Sequence, residues 1–252
     1  MERKYIGSVR LSTPIEKDSY LYKLPVVAHL ACQGELRFSK DVTFLVGENG
    51  TGKSTLLEAI AVAYGFNAEG GTRNFNFSTN ATHSTLHQHL TLSRGAWPKD
   101  GFFLRAESFY NAASYIDEIY DAEFKAHAET GYGDRSLHQQ SHGESFLSLM
   151  QNRFRGNGIY LLDEPEAALS PYHLLSLMVC IRELVQQNSQ FIIATHSPML
   201  MAYPDAEVLE LTGEGICSVY YKKTEHYQLT RRFLENPEKM LDYLFGDSSD
   251  DK

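Results

Sequence analysis

The stretch Gly47-Glu48-Asn49-Gly50-Thr51-Gly52-Lys53-Ser54-Thr55 restricts this chain more than any other. It has the G-x-x-x-x-G-K-[ST] spacing of a phosphate-binding loop. Before it runs Val42-Thr43-Phe44-Leu45-Val46, a nearly unbroken apolar run of strand formers; after it, residues 54–64 carry helix formers with apolar residues at helical spacing. Strand, glycine turn and helix N-terminus together make an anion site, because backbone N–H groups and the helix dipole point at the same place. Gly47, Asn49, Gly50, Gly52 and Thr55 would wrap the phosphates. Lys53 would reach the β- and γ-phosphates, and the Ser54 hydroxyl would sit on Mg2+. The flanking strand and helix argue against a chance glycine-rich turn.

Composition bounds what surrounds the loop. With 252 residues, 42% of them hydrophobic, the chain can bury the core of one large α/β domain. Its net charge of −9 disfavours an autonomous nucleic-acid binder, although a local basic patch is compatible with that total. No apolar run reaches the length of a transmembrane helix, and no apolar segment of signal-peptide type follows Met1-Glu2-Arg3-Lys4. Cys32, Cys180 and Cys217 are widely spaced and odd in number, which predicts free thiols in a reducing cytoplasm.

Along the chain, residues 1–24 predict one or two edge strands, and Val26–Leu30 and Glu35–Phe38 predict short strands around Gln33-Gly34. Tyr5, Tyr20 and Tyr22 are candidates for stacking on a base, although strand tyrosines more often serve packing. Residues 65–97 are loop-rich; His83 and His87 share metal-compatible i, i+4 spacing, but without a further ligand motif an ordinary packing role is favoured. Residues 102–106 predict a core strand, with Glu107-Ser108 after it and a helix over 109–128. Gln140-Ser141-His142-Gly143-Glu144 leads into a helix over 145–153 and offers a second set of backbone donors. Residues 159–162 and 191–195 predict buried strands joined by a helix over 171–187, a βαβ unit with a parallel sheet. Short strands over 207–211 and 216–222 and a helix over 237–244 follow. The acidic tail, 246–252, predicts disorder.

Ligands of parallel sheets bind at the carboxyl ends of the strands. Asp163, Glu164 and His196 all fall there. Asp163 is placed to hold Mg2+, Glu164 to orient or deprotonate an attacking water, and His196 to contact a γ-phosphate. Acidic residues after strands are common singly. Their order here, after the loop and Ser-x-Gly-Glu, is what carries weight.

That order resembles the ATP-binding-cassette (ABC) ATPases. Gly47–Thr55 matches their Walker A, Ser141 to Glu144 resembles the signature, Ile159 to Glu164 the Walker B with its glutamate, Ala167 to Ser170 the D-loop, and His196 the switch histidine. Ser-x-Gly-Glu and Ala-Thr-His-Ser-Pro (194–198) are similar to the soluble Rad50, SMC, RecF and OLD-type branch, and to small stand-alone AAA family ATPases. The chain departs from the pattern at Gln140, His142 and Ser170. Glu107 stands nearest to the glutamine that normally reaches Mg2+, and a helix-capping role for it is as well motivated. The spacing from Lys53 to Ser141 leaves no room for a long coiled coil.

The resemblance implies an α/β fold: a P-loop NTPase with ABC-ATPase head architecture, a mostly parallel core sheet and an N-terminal antiparallel β region. It implies one domain over 1–245, with a small helical subdomain about 66–150. It further implies ATP and Mg2+ as cofactors and hydrolysis by a cytoplasmic head-to-tail homodimer, each ATP held between Lys53 of one subunit and Ser141, Gly143 and Glu144 of the other. Such a dimer would switch a protein partner, a nuclease or other effector, in DNA repair, recombination or phage defence. The alternatives are the nucleotide-binding subunit of a membrane ABC transporter, which would need a separate membrane partner, and a non-hydrolysing ATP-sensing scaffold, against which Lys53, Asp163, Glu164 and His196 argue.

Overall fold

The computed structural model describes residues 4–72, 84–106 and 142–245. The expected helix over 109–128, His83, Glu107, Ser141 and the acidic tail lie outside them.

β3 (Val42–Gly47) is buried at every position and sits inside a six-stranded sheet with β5 (Asp100–Arg105), β6 (Gly158–Asp163), β7 (Gln190–Ala194), β8 (Glu207–Thr212) and β9 (Gly215–Ser218). The order is β5-β6-β7-β3-β8-β9, parallel throughout except for β9. Strands covered on both faces read as continuous apolar runs, which is why periodicity alone located them. Phe44, Val46, Tyr160, Leu162, Phe191 and Ile193 point to one face. There α3 (His142–Arg153) and α4 (Pro171–Gln186) cover them with Phe146, Leu149, Leu177 and Ile181. Leu45, Leu161, Ile192 and Leu209 point to the other face, under α2 (Lys53–Tyr64) and a small antiparallel sheet. Each fully buried large side chain contributes roughly 1.5–3 kcal/mol.

The small sheet has the order β2-β1-β4, from β2 (Leu36–Arg37), β1 (Ile6–Leu11) and β4 (Leu90–Arg94). The N-terminal strand is therefore its centre, where an edge was expected. The Gln190 side chain fixes it to the main sheet, accepting from the Tyr5 and Ile6 N–H groups at 2.9 Å each and donating to Ile6 O at 2.8 Å.

Three further local expectations are corrected. Val26–Leu30 is not a strand but part of α1 (Pro25–Gln33). Pro25 opens it and Gly34, at φ 83°, closes it, while Val26, Val27 and Leu30 bury one face. That packing overrides the strand preference of two valines. His87 lies in a 3-10 turn, Thr85–His89, and not on an α-helix. A single helical turn, α5 (Pro198–Met201), follows β7. The last expected strand stops at Ser218; a 3-10 turn, Tyr221–Lys223, leads into α6 (Glu225–Glu235), which the periodicity did not single out, and α7 (Pro237–Phe245) follows. Between 66 and 150, the described residues supply β4 and β5 as well as α3. No helix of the described residues is long and apolar enough to cross a membrane.

Candidate nucleotide site

The loop leaves β3 at Gly47, whose φ is 136°. A Cβ there would lie 2.2 Å from Leu211 O on the neighbouring β8, so only glycine lets the strand turn. Gly52, at φ 95°, precedes α2 and offers no side-chain cap. The first N–H groups of α2 therefore have neither an intrahelical acceptor nor a capping oxygen, which makes them anion donors. The Gly52 α-carbon also packs against α1: a Cβ would meet Val26 Cγ1 at 2.7 Å. Above Gly50 there is open space.

Lys53, 4% exposed, folds back over the loop and donates to Gly47 O at 2.7 Å and Glu48 O at 2.9 Å. Burial holds its ammonium below the ordinary lysine range, while Glu164, Asp163 and Glu166 pull the other way. A cation partly stripped of water, with three carboxylates nearby, is prepared for a polyanion.

Strand register delivers the carboxylates. Asp163, buried at the end of β6, pairs with Ala194 on β7 and Arg105 on β5. Arg105 Nε stands 3.6 Å from Asp163 Oδ2, and its Nη1 donates to Glu58 Oε2 at 2.7 Å. Glu58 lies on α2, so this triad ties the helix that follows the loop to the strand that carries Asp163. Sequence reasoning missed both Glu58 and Arg105; the available signal was a charge ending an apolar strand opposite another charge in the same register.

Glu164 has φ 49° and ψ 51°, a left-handed conformation that is costly for a side-chain-bearing residue. Its N–H donates to Ala194 O at 2.9 Å, which holds it there. The result turns the chain at Pro165 and leaves Glu164 Oε1 3.6 Å from His196 Nε2. Glu166, two residues on, accepts the His196 N–H through Oε1 at 2.5 Å; burial pushes its carboxyl up. His196 is drawn below the ordinary imidazole range by burial first, then by Lys53 and by His226, whose Nε2 is 2.9 Å from His196 Nδ1. Neither Glu166 nor His226 was anticipated. Ser170, a departure from the D-loop pattern, caps α4 by accepting from His173 N–H at 3.3 Å.

The fold thus gathers Gly47, Asn49, Gly50, Gly52, Lys53, Ser54 and Thr55 with Asp163, Glu164 and His196 at one edge of the sheet. Gly143 and Glu144 fall in the first turn of α3, with Glu144 exposed. Tyr5 is excluded as a base platform: it is buried, and its hydroxyl donates to Asn188 O at the opposite edge of the sheet. Tyr20 and Tyr22 are exposed in the 3-10 turn, Tyr20–Lys23, that precedes α1.

Two family models match. One, described as an AAA domain, covers residues 28–109; the other, described as an AAA domain, putative AbiEii toxin, type IV TA system, covers 98–202. Both matches are to AAA domains, and together they span residues 28–202 of the chain. The first match takes in most of α1 and the loop, and the second takes in β6, α4 and the turn that carries His196. Among curated relatives, a ribose import ATP-binding protein RbsA of Bacillus cereus is 27% identical over 176 residues, 62% of this chain and 34% of that protein. The chain therefore spans about a third of the length of that relative. Among solved structures, cbiO1 from Clostridium perfringens, part of the ABC transporter complex cbiONQ, has a TM-score of 0.50 at 16% identity, covering 96% of this chain and 99% of that one. The SMC head domain from Thermotoga maritima has a TM-score of 0.44 at 16% identity, over 86% and 99%.

Proposed function

We propose that the chain binds and hydrolyses Mg-ATP as a head-to-tail homodimer and acts as a nucleotide-driven switch for a protein partner in the cytoplasm. The observation that carries this reading is the strained Glu164, pinned through Ala194 with its carboxylate beside His196 and close to Lys53. Backbone donors of Gly50 to Thr55 and the Lys53 ammonium would take the β- and γ-phosphates. Glu164 would accept a proton from the attacking water as its oxygen bonds to the γ-phosphorus. The bond from that phosphorus to the β–γ bridging oxygen breaks, releasing ADP and phosphate. His196, neutral at pH 7, would donate a hydrogen bond to the γ-phosphate.

The residues fit Mg2+. Ser54 and Asp163 are hard oxygen donors, and no cluster of three or more His, Cys, Asp or Glu among the described residues competes as an all-protein cage. Mg2+ is commonly held by one or two side chains plus waters and substrate phosphates, where it neutralises charge on the phosphate oxygens. Glu107 is proposed as a further contact to that ion.

The signature donors at Ser141, Gly143 and Glu144 would complete the site of the second subunit, so ATP joins the dimer and hydrolysis releases it. The single domain over 1–245, with a small helical subdomain at about 66–150, belongs to this reading, as does its place in the SMC-like branch. The partner's place in DNA repair, recombination or phage defence rests on the resemblance alone. The second reading, a nucleotide-binding subunit of a membrane importer, is favoured by the import ATP-binding relatives.

Sedimentation of Glu164→Gln protein tests the shared site. A dimer at saturating Mg-ATP and a monomer without nucleotide are expected. A protein that stays single while binding ATP would overturn the dimer, and unchanged phosphate release would overturn the role of Glu164.

A further inference from the structure

We infer that His226 is a positioning residue for His196: it donates its Nε2–H to His196 Nδ1 and so fixes the proton of the switch histidine on the side that faces the nucleotide. The assignment rests on the ATPase reading above for its functional meaning, and on geometry alone for its chemistry.

The two rings lie with centroids 5.0 Å apart and His196 Nδ1 2.9 Å from His226 Nε2. One of these nitrogens must donate and the other accept, since two neutral imidazoles cannot bond through two protons or two lone pairs. The other nitrogen of His196 decides which. His196 Nε2 faces Glu164 Oε1 at 3.6 Å, and an ionised carboxylate only accepts. At 3.6 Å this is a charge–dipole contact and not a hydrogen bond, and it favours the tautomer with the proton on Nε2. Nδ1 is then a bare acceptor, and the donor is His226. The same tautomer points an N–H, and not a lone pair, toward the place where the γ-phosphate would sit. With the opposite tautomer, His196 would present a lone pair to a carboxylate and to a phosphate, and both contacts would be repulsive.

The position of His226 is secured independently of His196. It is the second residue of α6, and the residue before that helix, Thr224, is fully buried. The Thr224 hydroxyl donates to Tyr221 O at 2.7 Å, accepts from Tyr227 N–H at 3.4 Å and lies 3.7 Å from Met201 Sδ on α5. Tyr221 and Tyr227 meet edge to face at 5.3 Å. The rest of α6 buries no residue. Its anchored part is thus the first turn, the part that holds His226 against the switch histidine. Glu166 fixes the backbone of His196 from the other side. A histidine's tautomer and ring orientation are set by the bond its second nitrogen makes, and at metal-bound histidines losing such a partner typically costs ten- to a hundred-fold in affinity or activity.

Two variants and one spectroscopic measurement test this. His226→Leu removes the donor; kcat should fall about 10- to 100-fold with KM for ATP within about twofold. His226→Gln keeps an amide N–H donor and should recover most of the loss. Nitrogen-15 NMR of the histidine rings, recorded on the nucleotide-free protein, should show His196 protonated at Nε2 and bare at Nδ1, and a mixture of tautomers in His226→Leu. A wild-type spectrum with the proton on Nδ1, or a His226→Leu protein with unchanged kcat, overturns the assignment. If the wild-type protein turns over no ATP at all, the ATPase reading falls, while the spectrum still decides the tautomer. Should His226→Leu fail to fold, the wild-type spectrum and the Gln variant decide by themselves.

Discussion

The two edges of the main sheet both bury charge, and they treat it in opposite ways. At the amino edge Asp100 accepts from Arg153 Nη1 at 2.9 Å, the Arg155 N–H at 2.9 Å and the Tyr160 hydroxyl at 2.8 Å. Burial alone would raise its carboxyl; those donors overcome burial and hold it below the ordinary carboxylate range. Tyr160, stacked on Phe154 at 4.2 Å, is pushed up by burial and by that same carboxylate, so it stays a neutral donor. At the carboxyl edge Glu164 sits in a strained backbone, and Glu166 Oε2 and His196 Nε2 are buried without hydrogen-bond partners. A satisfied network stabilises. Strain and unmet polar groups, held by the surrounding fold, mark a site built for something that arrives.

On this contrast, substitutions at the two edges separate cleanly into stability and turnover. The largest effect is expected at Glu164→Gln. Turnover should drop by about 10³-fold, within the range for loss of a general base, with the melting temperature unchanged or raised by relief of negative charge; phosphate release and calorimetry check both. Asp100→Asn should do the reverse, costing about 2–4 kcal/mol because Arg153 loses its buried partner, in denaturant titration, while kcat changes less than about twofold. Its pH signature follows from the lowered carboxyl. The contribution of Asp100 is present above its ordinary 3.8 and is lost as pH falls through the folded value, so wild-type and variant stabilities should converge in acid. For His196 the shift runs downward from 6.5, so the neutral ring persists below that pH. The acid limb of kcat should begin below about pH 6.5, and His196→Gln should remove that limb at a cost of about ten- to a hundred-fold in rate. The smallest effect is expected at Tyr160→Phe. The hydroxyl's bond to Asp100 and its acceptance of the Arg155 N–H at 3.1 Å are lost, about 1–2 kcal/mol, with ATP turnover unchanged. A Tyr160→Phe protein that loses activity, or a Glu164→Gln protein that loses stability, would break the comparison.

The sequence by itself determined the phosphate loop, the buried strands and the carboxylates that end them. Those signals are local: glycine spacing, continuous apolar runs and polar residues at their ends. It also predicted α3, α4 and the parallel βαβ unit. It did not reach α1, where Pro25 and Gly34 outweigh valine preferences once Val26 packs against Gly52. Nor did it reach β1 as a central strand, because Gln190, far along the chain, supplies the bonds that place it. Only the tertiary structure decided that Arg105 and Glu58 stand beside Asp163, that Glu166 holds the backbone of His196, and that His226 from α6 meets its ring. Each of these joins elements distant in sequence. Sheet register and helix packing set such distances, and no window of residues contains them.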